Sequence, residues 1–210
     1  QHKPVVLIHS AAGGVGLLCL MILRKWGARV IATIGDRSKM DVLRQQGLDD
    51  RQIVVRTTGE RMRHKCHHGF TAGRLFPAWV CLSVNPTQCS WNRLAKTGRC
   101  VVIGAATLTP SGSRPNYCSL AIKFMRRPRV DPMEMIAQNR SLMAFNLIWM
   151  WDRMDEMTVL VDELLELQLE PPVVGRTFPF SGVPQALQAF QSGKTVGKVV
   201  VDIAPVAPAS

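Results

Sequence analysis

Short apolar runs alternate with segments of helical period through the first half of the chain. Residues 5–9 are apolar as far as Ile8, partly β-branched, and predict a strand ending at His9. Residues 15–26 repeat Leu17, Leu18, Leu20, Met21 and Leu23 at helical spacing and stop at Gly27. Arg29–Ile34 predicts a second strand, and residues 38–46 a helix ended by Gly47. A short third strand is expected at 52–55 and a fourth at 78–84, between Pro77 and Pro86. A helix at 87–96 and a fifth strand at 100–104, after a Thr97-Gly98 turn, complete the series. Such alternation of near-continuous apolar strands with helices predicts an α/β fold with a doubly wound parallel sheet covered on both faces.

The remaining segments are less uniform. Residues 57–75 have no apolar period, so a helix there would have no face to bury and a poorly packed surface stretch is expected. A Pro/Gly/Ser loop at 105–116 leads into basic, Met-rich helical turns to about 138. Residues 142–150 predict a sixth strand, and residues 155–169 an amphipathic helix with Leu160, Val161, Leu164, Leu165 and Leu169 on one side. Pro171-Pro172 ends it. A strand at 173–178, a helix at Val183–Gln191 capped by Ser181, and a strand at 197–203 form a β-α-β return segment with its own punctuation. The expected division is therefore 1–170 for the main domain, 171–204 for the return segment, and 205–210 for a disordered tail.

Between the first strand and the first helix lies SAAGGVG, residues 10–16. A glycine cluster in a strand–turn–helix context is the setting in which a dinucleotide fingerprint becomes credible. Gly13 allows close approach of a pyrophosphate, and Gly16 allows the helix to pack on the strand. The N–H groups of Gly13, Gly14, Val15 and Gly16 are the expected phosphate donors, at the positive end of the helix. Ala11 stands where the fingerprint has its first glycine. The end of the second strand brings Gly35 and Asp36, with Arg37 and Lys39 beside the acid. An acid there suits ribose hydroxyls and cations suit a 2′-phosphate, so the residues alone leave both nicotinamide cofactors open.

Composition narrows this further. Hydrophobic residues make up 47% and charged residues 20%, and no apolar run is long enough to span a bilayer. The six cysteines form no C-x-x-C pair, and Cys19, Cys81 and Cys100 lie in apolar patterns, which favours reduced thiols and an intracellular, cytoplasmic setting. His64, Cys66, His67 and His68 are clustered but have no spaced partner pair, so no metal is expected. The net charge of +11 is concentrated where residues 61–130 carry no Asp or Glu. No nucleic-acid motif accompanies that block, and no nucleic-acid partner is expected.

Several phrases together resemble the medium-chain dehydrogenase/reductases, in their zinc-independent quinone oxidoreductase branch. They are SAAGGVG at 10–16, GARVIAT at 27–33, LAKTGR at 94–99 followed by VIG at 102–104, NRSLMAFNL at 139–147 and AFQSGKTVGKV at 189–199. NRS and FNL are similar to the synaptic-vesicle membrane-protein homologues, while the glycine turn and the closing Gly-Lys phrase are shared with enoyl reductase domains of polyketide synthases. The resemblance lapses over about 54–92, where the family's Asp-Tyr, Gly-Val-Asp and Gly-Gly places read Val54-Val55, Phe76-Pro77-Ala78 and Asn85-Pro86.

The resemblance implies a Rossmann-type fold and NADPH rather than NADH, with Lys39 at the family's lysine position. It implies that Gly104 admits the nicotinamide ribose, that the backbones of Phe145 and Leu147 meet the carboxamide, and that Lys198 lies near the nicotinamide. An upstream catalytic domain, absent from this chain, would supply the other wall of the cleft, and residues 171–204 would complete it. A small-molecule substrate and a homodimer follow by the same resemblance, and the vesicle-protein likeness leaves a peripheral membrane location open. No nucleophile–base pair or catalytic residue is assigned, since hydride chemistry is the cofactor's. A cofactor-binding interaction protein without turnover is the non-enzymatic alternative.

Overall fold

The computed structural model describes residues 4–56, 76–81, 91–92, 94–104, 117–125 and 130–203. Strands β1 (Val5–Ile8), β2 (Arg29–Ile34), β3 (Ile53–Val55), β4 (Phe76–Cys81), β5 (Leu94–Val102) and β6 (Ser141–Ala144) form one sheet. Its order is β3-β2-β1-β4-β5-β6, and every described pairing is parallel. The sequence order reverses between β1 and β4, which opens a crevice at the carboxyl ends of the strands. This is the doubly wound α/β arrangement of a Rossmann domain.

Period-2 burial shows why these runs are strands. Val6 and Ile8 of β1, with Val30, Ala32 and Ile34 of β2, face helix α1 (Gly14–Lys25) and helix α2 (Met40–Gln45) through Leu17, Leu20 and Leu43. Leu7, Ile31 and Val54 point to the opposite face, against Trp91, Leu94 and Cys100. Ile8, Leu43 and Cys100 are wholly inaccessible to solvent. Both early helices stop at the glycines the pattern marks. Gly27 and Gly47 take φ of +66° and +81°. In each case the glycine N–H and the N–H after it close back onto the last helical turn, Gly27 to Arg24 O and Ala28 to Leu23 O, Gly47 to Arg44 O and Leu48 to Leu43 O.

Three expectations need correction. Strand β5 begins at Leu94, inside the expected helix at 87–96, whose residues 87–90 lie outside the described residues. Leu94 pairs with Phe76 and the register then slips to Ala78–Arg99, so the Thr97-Gly98 turn survives only as an irregularity within the strand, with Thr97 at φ +66°. The sixth strand stops at Ala144 because Asn146 caps a 3-10 helix, Leu147–Arg153, with its Oδ1 accepting from Ile148 N at 3.3 Å. Ser181 is not a cap, since the helix at Val183–Gln191 has Gly182 at that position with no side-chain bond.

Helices α3 (Tyr117–Met125) and α4 (Pro132–Gln138) precede β6, and α5 (Met154–Glu166) follows the 3-10 helix. The apolar stripe of α5 is not buried by the described residues: Leu160 and Leu165 are 52% and 68% exposed. Strands β7 (Val174–Pro179) and β8 (Lys198–Asp202) make a separate parallel pair joined through α6 (Val183–Gln191). The stretch at 57–75, the His/Cys cluster at 64–68, the loop at 105–116 and the tail at 205–210 lie outside the described residues, as does most of the acid-free block.

Candidate functional site

The crevice is floored by the glycine turn. Ser10 adopts φ +55° and its carbonyl accepts the Gly13 N–H at 3.0 Å. The Gly13 N–H is therefore committed within the turn, a correction to its expected role as a phosphate donor. Leu17 N–H closes the first helical bond onto Gly13 O at 2.9 Å. The N–H groups of Gly14, Val15 and Gly16 lie ahead of that bond and leave the helix end as donors. No side chain caps this end and no acid occupies its first turn, so its positive partial charge is not neutralised there.

Gly16 is required by space. A Cβ on it would stand 2.6 Å from Ser10 O and 2.7 Å from the Ala11 Cα and carbonyl oxygen, all backbone atoms. Gly14 is different, because a Cβ there would meet only the Lys198 side chain, 2.6 Å from its Cδ and 3.1 Å from Nζ. Lys198, which the resemblance implies near the nicotinamide, thus lies over the glycine turn. Its neighbour Gly197 donates to Ala12 O at 2.9 Å and forms a bridge with Gly13, which seats the return segment on the turn.

At the carboxyl end of β2, Asp36 accepts from Ser38 N at 2.8 Å, and that bond holds its exposed carboxyl below the usual range. Arg37 is exposed in the turn that follows. Lys39 donates from Nζ to Gly193 O at 2.6 Å and to Thr195 O at 3.0 Å. Burial, then the nearby Arg56, lowers its pKa. Arg56 follows β3 directly; its Nη2 donates to Ser10 Oγ at 3.1 Å and stands 4.0 Å from where a Gly35 Cβ would be. Behind this group His9 is buried, with Nδ1 2.8 Å from Thr33 Oγ1, and burial together with Arg56 pushes its pKa down to about 3.

Farther along the crevice, Gly104 follows β5, and the Phe145 N–H donates to Val102 O at 2.9 Å. Phe145 and Leu147 are about half exposed, with no core packing of their own. The structure thus gathers Gly14, Val15, Gly16, Gly35, Lys39 and Lys198 at one end, and Gly104, Phe145 and Leu147 at the carboxyl ends of β5 and β6. Arg56 was missed by sequence reasoning. Its signal was present, a cation one residue beyond an apolar strand, but it sat at the edge of a stretch that reads as featureless.

A dinucleotide phosphate fits this donor set: N–H groups at an uncapped helix end, a glycine whose nearest neighbours are atoms of the Lys198 side chain, and Arg56 on Ser10 of the same turn. Among the described residues no three His, Cys, Asp or Glu converge.

The family model for zinc-binding dehydrogenases matches residues 81–201. The human synaptic vesicle membrane protein VAT-1 homolog is 26% identical over 96% of this chain and 51% of its own length. The hybrid PKS-NRPS synthetase pyvA of Aspergillus violaceofuscus is 31% identical over 99% of this chain but 5% of its own length. A mycobacterial protein solved with NADPH superposes with TM-score 0.71 and 25% identity, covering 95% of this chain and 58% of that one. The chain spans about half the length of the vesicle-protein relative and of that structure. With more than half of its residues matched, the chain belongs to the zinc-binding dehydrogenase family of medium-chain dehydrogenase/reductases and corresponds to their nucleotide-binding half.

Proposed function

We propose that this chain is the cofactor-binding module of an NADPH-dependent oxidoreductase that reduces a quinone or an α,β-unsaturated carbonyl compound. The observation that carries this reading is the junction of an uncapped, acid-free helix end at Gly14–Lys25 with the cations Lys39, Arg56 and Lys198. The N–H groups of Gly14, Val15 and Gly16 would hold the pyrophosphate, with Lys198 adding positive charge above the turn. Gly35, Arg37 and Lys39 border the adenosine end. Gly104, Phe145 and Leu147 would border the nicotinamide, which when bound supplies a hydride to the acceptor.

The same reading divides the chain into 1–170, which binds cofactor, and 171–204, which completes a second, catalytic domain supplied upstream. The apolar side chains left exposed on α5 and α6, among them Leu165 at 68% and Phe190 at 67%, support a covering partner of that kind or a second copy of the chain in a homodimer. A cytoplasmic location, with any membrane association peripheral, belongs to this proposal. Among the described residues no helix is long and apolar enough to cross a membrane. A second reading, an enoyl reductase domain of a polyketide synthase, is favoured by the 31% identity to such a synthetase.

Hydride transfer requires donor and acceptor to be held together away from water, which half a cleft does not do. The test follows NADPH oxidation with a small quinone and with an enoyl thioester, comparing this chain alone with the chain joined to an upstream domain. Binding without turnover by the chain alone, and turnover in the joined protein, is the expected result. The better acceptor decides between the two readings. Turnover by the chain alone would overturn the two-domain proposal, and binding without turnover in both would point to the non-enzymatic alternative.

A further inference from the structure

We infer a second ligand site away from the cofactor crevice: the pocket between α4 and β6, where the buried guanidinium of Arg140 takes the carboxylate of a small organic acid in place of Glu134. The site stands whether or not the crevice binds NADPH. Gly104 and Phe145 lie beyond the carboxyl ends of β5 and β6. The pocket lies at the opposite, amino end, where Arg140 directly precedes β6 and reaches Leu94 at the start of β5.

Arg140 is 9% exposed. The end of α4 fixes its backbone: Asn139 takes φ +50°, and the Arg140 N–H closes onto Met135 O at 3.0 Å. Its guanidinium carbon stands 5.9 Å from the centre of the Trp91 ring, and Nη2 donates to Leu94 O at 2.6 Å. What it lacks is a good counterion. Nη1 is 3.5 Å from Glu134 Oε1, long for a charge-assisted bond, and the Glu134 side chain is 43% exposed. Asp131 caps α4, accepting from Met133 N at 2.9 Å. Residues 61–130, which include Trp91 and Leu94, carry no Asp or Glu. Arg140 Nε and Trp91 Nε1 are both buried with no hydrogen-bond partner among the described residues. A guanidinium taken out of water normally has its donors met and its charge paired. This one keeps both positive charge and donor capacity in reserve.

The pocket has a volume of about 440 Å³ and is lined by Pro132, Met135, Ile136, Asn139, Arg140 and Ser141. That is the size of a small-molecule site. Its chemistry selects the ligand: one buried cation, apolar walls from Pro132, Met135 and Ile136, and neutral polar groups on Asn139 and Ser141. A carboxylate matches the planar fork of a guanidinium, and an apolar body matches the walls. Inorganic phosphate would meet the cation but leave the walls unfilled. Glu134 holds the counterion position only weakly, so an incoming carboxylate exchanges with it while the Glu134 side chain turns to the solvent it already meets.

The experiment is calorimetric titration of the chain with hexanoate, hexanol and inorganic phosphate, with and without NADPH, using unaltered protein, Glu134→Gln and Arg140→Met. Hexanoate is expected to bind saturably, and hexanol and phosphate at least about tenfold more weakly, each lacking one half of the match. Removing the competing carboxylate in Glu134→Gln is expected to tighten hexanoate by about threefold to tenfold. Loss of the guanidinium in Arg140→Met is expected to weaken it by about tenfold to a hundredfold. NADPH is expected to leave hexanoate affinity unchanged. The assignment is overturned if the unaltered protein binds no hexanoate, if hexanol or phosphate binds as tightly, or if NADPH displaces the acid. Hexanoate affinity unchanged in Arg140→Met overturns it as well. Should Arg140→Met fail to fold, Glu134→Gln still decides, because it alters a half-exposed side chain, and affinity no tighter than in the unaltered protein overturns the site.

Discussion

The β1–α1–β2–α2–β3 region and the region from β6 to β8 have similar apolar content but opposite burial. In the first, Val6, Ile8, Leu17, Leu20, Ala32, Ile34 and Leu43 are all at most 4% exposed. In the second, Leu147, Ile148, Trp149, Trp151, Leu160, Leu165, Leu187 and Phe190 are each more than half exposed, and Ala186 is the one residue of α6 that is buried. The first region makes its own core. The second carries amphipathic elements whose apolar faces meet little among the described residues. The proposed cofactor site lies where the two meet, through Gly197 on Ala12 and Lys39 on the 193–195 loop.

Truncation should separate the regions most strongly. Leu43→Ala empties space in a fully enclosed position and should cost about 2–5 kcal/mol in chemical denaturation. Leu165→Ala, on a helix face that is largely in solvent, should cost less than about 0.5 kcal/mol. Similar losses at both would break the contrast, because they would mean that α5 packs as tightly as α2.

Glycine substitution sharpens it at the junction. Gly16→Ala sets a Cβ against three backbone atoms that cannot turn aside, and about 1–3 kcal/mol of stability should be lost along with cofactor affinity. Gly14→Ala meets only the flexible end of Lys198, so its fold should survive while NADPH binding weakens severalfold as the lysine is displaced. Melting temperature and titration on the same samples distinguish the two. Equal destabilisation would show that the return segment is locked to the turn and cannot yield.

What the sequence made legible follows this division. In the first region, helix stops at Gly27 and Gly47, the strand at Arg29–Ile34 and the fixed role of Gly16 were all readable, because local pattern and final burial agree there. Toward the C terminus the period of α5 was readable, but its burial was not, since an amphipathic pattern marks a face and says nothing of what covers it. The ending of β6 was set by one side chain, Asn146, whose capping outweighed six further apolar-rich positions. Side-chain placement in the site was the least legible. The latch from Lys39 to the 193–195 loop and the reach of Arg56 to Ser10 join residues 154 and 46 positions apart, which no local pattern encodes.

A last test uses pH to ask whether the first region unfolds as a unit. All five histidines of the chain precede residue 69, and His9 is the one buried among the described residues. Its pKa in the folded protein is about 3, against an ordinary 6.5, because burial and then Arg56 disfavour the imidazolium. Between those values the unfolded chain binds a proton that the folded chain does not. Stability is therefore fully present above pH 6.5 and falls as the pH drops towards 3. The slope from this one group approaches about 1.4 kcal/mol per pH unit at most. Urea midpoints measured from pH 7 to 4 should decline, and His9→Gln should flatten the decline above the carboxylate range, from a lower stability at pH 7 because the Thr33 contact is altered. Amide exchange over the same range should rise first in β1, β2 and α1, and later in α5 and α6, which have no histidine. An unchanged slope in His9→Gln, or exchange rising first in α5, would show that the buried half is not where acid acts.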